Sequence, residues 1–185
     1  MALINSTDLE ARLGRSLSTE ESTAFTTLNS ANQSYVEKMI GSKLETVSET
    51  TRYYDGGVRF LKIDPCTDIS TLTYVDEDYT LVETIDESDY IEEPLNNTLK
   101  TQITSRYGKL YSGFKNFGVT AKFSIAGDTD VVNVVKSAML DALESEIDNS
   151  ESILKESIEG YSVEKAQTQT KNSLDKIKFI FPEII

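Results

Sequence analysis

The stretch VTAKFSIAGDTDVVNVVKSAMLDAL, Val119–Leu143, changes its period halfway along. Val119, Ala121, Phe123 and Ile125 alternate with Thr120, Lys122 and Ser124, as in a strand with one buried face. Gly127-Asp128-Thr129 then supplies capping residues. Val131, Val135, Ala138 and Ala142 follow at helical spacing, widened by Val132, Met139 and Leu143. A strand that feeds a strongly amphipathic helix makes this an α+β chain, and the rest of the sequence can be read outward from that junction.

Towards the N-terminus, Thr7-Asp8-Leu9-Glu10 reads as a capping box, with Gly14 as a left-handed stop. Ser18-Thr19-Glu20-Glu21 repeats the start signal. Ala24, Phe25, Leu28, Ala31, Tyr35 and Met39 then recur at helical spacing up to Gly41, a helix of about six turns. The apolar stripes of this helix and of the helix after Gly127 are matched, and the two are expected to pack together. From about Thr46 the period is two. Leu61 and Ile63 flank Lys62, and Leu72 and Tyr74 alternate with Thr71 and Thr73. Tyr79, Leu81 and Ile85 share a face, and Asp55-Gly56-Gly57 signals a turn or hairpin. Beyond the second long helix, Asp148-Asn149-Ser150 reads as a break or a new cap, followed by a further turn or two through Ile153, Leu154 and Ile158. The expected organisation is one domain. Residues 1–45 and 128–158 form a small helical bundle core, 46–127 an inserted, mostly antiparallel β region, and 159–185 a C-terminal arm.

Composition narrows the chemistry. Histidine is absent, which removes histidine-based triads, the commonest general base and most zinc sites. There is one cysteine, Cys66, read as a small buried apolar residue. No phosphate-binding glycine motif is present. Asp76/Asp78 and Asp128/Asp130 are the nearest carboxylate pairs, and both are better read as turn and cap residues. The expectation is no enzyme, no catalytic or metal site and no cofactor. No apolar run reaches the length of a membrane span, and the first residues lack the basic and apolar regions of a signal peptide.

The net charge is −13, and it is segregated. No basic residue lies between Lys62 and Lys100, a stretch with eleven acids, nine of them from Asp76 to Glu93. From Pro94 to Gly127 there is no acid, and the bases Lys100, Arg106, Lys109, Lys115 and Lys122 are interleaved with aromatics. Two candidate inter-subunit stretches follow. One is acidic, Asp76, Asp78, Asp86, Glu87 and Asp89, and faces either a neighbour or a lumen. The other is basic and aromatic, Arg106, Tyr107, Lys109, Tyr111, Phe114 and Lys115. An acidic edge of one subunit facing a basic edge of the next suits head-to-tail assembly. The acidic run also admits a second reading, a calcium-assisted carbohydrate- or protein-binding module on a virion surface, although it lacks the glycine and terminal glutamate of an EF-hand loop. The end of the chain, Ile177–Ile185, is apolar where a free tail is normally polar.

Four segments, in this order and spacing, carry a resemblance: LEARLGRSLSTEE (Leu9–Glu21), YYDGGVRFLKIDP (Tyr53–Pro65), DVVNVVKSAMLDAL (Asp130–Leu143) and SIEGYSVEKA (Ser157–Ala166). Together they resemble the head–tail connector, or adaptor, proteins of tailed bacteriophages. That resemblance implies a non-enzymatic virion protein of the neck, assembled in the host cytoplasm as a ring, dodecameric to match the portal. It implies the portal and the next neck or tail protein as partners, a DNA channel that the duplex crosses without sequence-specific binding, and no membrane. It also implies a C-terminal arm that engages the portal, here Tyr161, Val163, Ile177, Phe179, Phe181 and Ile184. Twelve copies at −13 carry roughly −156 before counter-ions, a field that repels a transiting duplex. Salt limits its reach to about 8–10 Å.

Duplex DNA is therefore expected to give no gel shift at physiological salt with protein up to about 1 µM, because phosphate neutralisation requires clustered Lys and Arg. A shift at lower protein concentration counts against a channel wall.

Overall fold

The computed structural model describes residues 3–155. The expected arm residues Tyr161, Val163, Ile177, Phe179, Phe181 and Ile184 lie outside the described residues. Three helices and six strands form two compact units, which change over at Gly41 and again at Thr129–Asp130. No helix among the described residues is long and apolar enough to cross a membrane.

The helical unit holds α1 (Ser6–Leu13), α2 (Thr19–Ile40) and α3 (Thr129–Lys155). The first capping box sits two residues earlier than the sequence suggested. Asn5 caps α1 by accepting from Asp8 N at 2.9 Å, and Asp8 accepts from Asn5 N at 3.0 Å. Asn and Asp make the same reciprocal pair as Ser and Glu, so a search restricted to Ser/Thr misses it. Gly14 (φ +68°) and Gly41 (φ +72°) take the left-handed backbone that stops α1 and α2.

On α2 the buried row is Glu21, Phe25, Asn29, Asn32, Val36 and Ile40. Only Phe25 belongs to both this row and the apolar one. Tyr35 is 43% exposed. Hydropathy passes over the buried face because two asparagines form its middle. Asn29 donates from Nδ2 to the Ile4 carbonyl at 2.9 Å, which satisfies a backbone acceptor inside the unit. Three ion pairs tie α3 to α1: Lys136 pairs with Asp8 at 2.8 Å, and Arg12 pairs with Glu144 at 2.6 Å and with Asp141. Its buried row is Val135, Ala138, Met139, Ala142, Leu143 and Ile147. The expected break at Asp148-Asn149-Ser150 does not occur, because α3 runs through it to Lys155. Each of these residues disfavours a helix interior by less than about 1 kcal/mol, too little to end a long helix on its own.

The β unit contains β1 (Thr50–Tyr54), β2 (Phe60–Val75), β3 (Leu81–Ile85), β4 (Tyr90–Glu93), β5 (Lys100–Ser105) and β6 (Phe117–Lys122). The order is β1-β6-β2-β5-β4, with β3 also on β2, and every ladder is antiparallel. The expected alternation is present from Val119 to Phe123, where Val119, Ala121 and Phe123 are buried between half-buried Thr120 and Lys122, but β6 ends at Lys122, and Ser124 is buried along with Ile125. The apolar residues of this stretch join Leu61, Ile63 and Leu72 in the core or on its margin, with Cys66 fully buried and its thiol pushed up to about 12 by that burial.

Two local expectations are corrected. Asp55-Gly56-Gly57 is not a hairpin turn, because β1 pairs with β6 and not with β2. Tyr79 does not share a strand face with Leu81 and Ile85. It sits in the turn before β3 with φ +59°, and β3 is exposed over most of its length.

The Ser18 box holds as read. Glu21 N donates to Ser18 Oγ, and Glu21 Oε2 accepts from Ser18 N at 2.7 Å. Arg15 grips the same carboxylate with two bonds of 2.7 and 2.9 Å. The Arg15 guanidinium, then the Ser18 N–H, hold the Glu21 carboxyl down at about 2 against an ordinary 4.5. A depressed carboxylate stabilises the fold above its ordinary pKa and loses that contribution as pH falls through its folded value. Glu21→Gln should therefore cost about 2 kcal/mol at neutral pH. The gap from the parent, followed by urea denaturation, should close between pH 4.5 and 2. A gap of equal size at both ends of that window speaks against the ion pair.

Candidate assembly surface

The acidic stretch makes turns. Asp76 Oδ1 accepts from Asp78 N at 3.0 Å and Thr80 N at 2.8 Å, which closes the β2–β3 connection. Asp86 Oδ1 accepts from Ser88 N at 2.8 Å and caps the short helix Glu87–Asp89, and this N–H draws the Asp86 carboxyl below its usual range. Among the described residues, no three acids or cysteines converge in a way that would hold a metal ion.

The basic–aromatic stretch forms the long connection from β5 to β6 and lies on the surface. Tyr107 is 81%, Phe114 76% and Tyr111 59% exposed, and Arg106, Lys109 and Lys115 are exposed with them. The two stretches are neighbours within one unit. Arg106 N donates to Asp89 O at 2.9 Å, and its Nε to Tyr90 O at 3.3 Å. Val75 N donates to Asn116 O at 2.9 Å. These links are made through backbone groups and one guanidinium–carbonyl bond.

A buried amide is one of the groups that hold the connection, beside backbone bonds from Gly57 N to Leu110 O and from Leu110 N to Val58 O. Asn116 Oδ1 accepts from Gly56 N at 2.9 Å, and its Nδ2 donates to Tyr111 O at 3.0 Å. Gly56 N also donates to Gly113 O at 3.0 Å. A β-carbon at Gly56 would lie 1.9 Å from Tyr111 O, so only glycine lets the two loops approach. Beside this junction lies a groove of about 430 Å³ between the β2–β3 turn and the β5–β6 connection. Tyr74, Tyr79 and Phe114 line it, Ser112, Gly113 and Asn116 lie alongside, and Asp76 and Glu77 form its acidic lip. Tyr79 stacks on Tyr53 with ring centroids 4.8 Å apart, and Tyr74 lies 4.9 Å from Tyr111. Of the stretches singled out in sequence, the groove unites Asp76, Phe114 and, through Tyr74, Tyr111. It leaves Tyr107, Lys109 and Asp86–Asp89 outside. Asn116 and Tyr79 were not singled out for assembly. The Gly56 and Gly113 pair was the available signal that two loops meet there.

No protein-family model matches this chain, and no curated protein sequence matches it. Among solved structures, a chain in the neck of an empty GTA particle, computed with C6 symmetry, aligns over 85% of this chain and 81% of that one, with 12% identity and a TM-score of 0.50. At that identity the likeness is one of fold. The fold defined above is shared with a component of a particle neck.

Asn116→Ala removes two side-chain hydrogen bonds from a buried position and should cost about 2 kcal/mol. Hydrogen exchange is the decisive readout: the Gly56 amide should lose protection while β2 and β6 keep theirs. An unchanged Gly56 amide means that Asn116 does not hold the loops.

Proposed function

We propose that this chain is a structural, non-enzymatic subunit of the neck of a tailed-phage-like particle. It assembles as a ring below the portal, prolongs the DNA channel and seats the next neck or tail component. The observation that carries the reading is the fold shared across 85% of the chain with a component of a particle neck. The sixfold symmetry used for that neck favours six copies, or twelve to match a portal. The net charge of −13 suits a wall that DNA passes without being held. Exposed aromatics gathered on one surface of the β unit suit a subunit whose burial is completed by neighbours.

The test is electron microscopy of the purified chain, alone and mixed with the portal protein of the same particle. Rings with six- or twelvefold symmetry, or portal assemblies that gain an added collar, are expected. Monodisperse single subunits under both conditions overturn the reading.

A further inference from the structure

The groove between the β2–β3 turn and the β5–β6 connection carries more aromatic surface than a solvent-facing loop needs. Phe114 is 76% exposed and Tyr79 50%. Two residues beside it hold a backbone that large side chains rarely adopt: Tyr79 at φ +59° and Lys115 at φ +48°. Glycine or asparagine would fit those turns with less strain. Backbone strain of this kind, at a residue whose ring lines the groove, motivates a functional reading of the site. The volume, about 430 Å³, falls in the range of sites that enclose peptide side chains or small ligands.

The occupant's chemistry follows from the lining. Aromatic walls take apolar side chains and proline-containing extended segments. A lip made by Asp76 and Glu77 takes a cation. The chain itself contains a segment of that composition. Lys176–Ile185, KIKFIFPEII, has two lysines, two phenylalanines and a proline within ten residues. It follows α3 by enough residues to span up to about 70 Å when extended, against roughly 40 Å across a domain of this size.

We propose that the groove is the seat of the segment Lys176–Ile185 of a second copy of this chain. Phe179 or Phe181 enters between Tyr74, Tyr79 and Phe114, and Lys176 or Lys178 meets Asp76 and Glu77. A tail of one copy seated in a groove of the next is a heterologous contact, the kind that closes a ring. The inference depends on the chain assembling with itself, as the neck reading requires. It assigns this segment to a neighbouring subunit, where the family resemblance assigns it to the portal.

Disulfide trapping on full-length chains tests it. Phe114→Cys is made in one preparation and Phe179→Cys in a second, differently tagged one, and the mixture is oxidised with diamide. The native Cys66 is fully buried and does not compete. A heterodimer carrying both tags should form at least ten times more than with Val134→Cys, an exposed position on α3, in place of Phe114→Cys. A yield equal to that control overturns the proposal. So does a doubly substituted chain that links only within itself, or a Phe179→Cys chain that links only to the portal protein. Rings in the microscope with no heterodimer remove this inference and leave the neck reading. Heterodimers without rings support the groove and remove the ring.

Discussion

Strand β2 must find hydrogen-bond partners on both edges for sixteen residues, from Phe60 to Val75, and the β unit is organised around how it does so. Its first part pairs with β5, its second with β6, and its end also with β3. The change of partner falls where its own backbone cannot continue a regular ladder. The β5 register breaks between Lys62 and Cys66, around Pro65, which has no N–H to give. The β6 register breaks between Thr67 and Thr71, around Asp68 at φ +50°. At the first break the carbonyl of Pro65 is taken by the hydroxyl of Ser42. The proline that would argue against a long strand is what allows one strand to serve two sets of neighbours.

A polar cluster fixes the neighbourhood of that first break. Arg52 on β1 pairs with Asp64 at 2.6 Å and lies over the Phe123 ring at 4.1 Å. Tyr54 donates to Asp64 at 3.0 Å, and burial together with the Asp64 charge pushes its hydroxyl up, so it remains a donor. The same Arg52 donates to the carbonyl of Gly41, the residue that ends α2. Both carbonyl and carboxylate need a donor where they are half withdrawn from water, and one guanidinium nitrogen, Arg52 Nη1, supplies both. Partly exposed pairs of this kind add little to stability but fix direction.

The surface tells a different story from the core. Asp76 and Asp86 of the acidic run are used as turn acceptors, while Tyr107, Tyr111 and Phe114 of the β5–β6 connection stay in solvent. A lone unit gains nothing from exposed Phe114, Leu81 and Val82, and edges with such residues invite pairing. Charge at Glu83 and along the acidic turns limits that hazard to partners able to supply cations.

The starts of the two long helices, the strand residues Val119–Lys122 and the α+β class were determined by the sequence alone, because they depend on local periods and on capping residues that act within a few positions. The two long helices and the burial of Cys66 belong to the same kind of information. The asparagine-filled face of α2, the continuation of α3 through Asp148-Asn149-Ser150, the single long β2 and the pairing of β1 with β6 did not follow from it. Each is decided by a partner distant in sequence: Ile4 for Asn29, β5 and β6 for β2, and β6 for β1. The candidate surface divides in the same way. Charge segregation and the aromatic run were legible as composition. The groove that joins Asp76 to Phe114 was not, because it exists only where the end of β2 meets the β5–β6 connection, tied by Val75 N to Asn116 O.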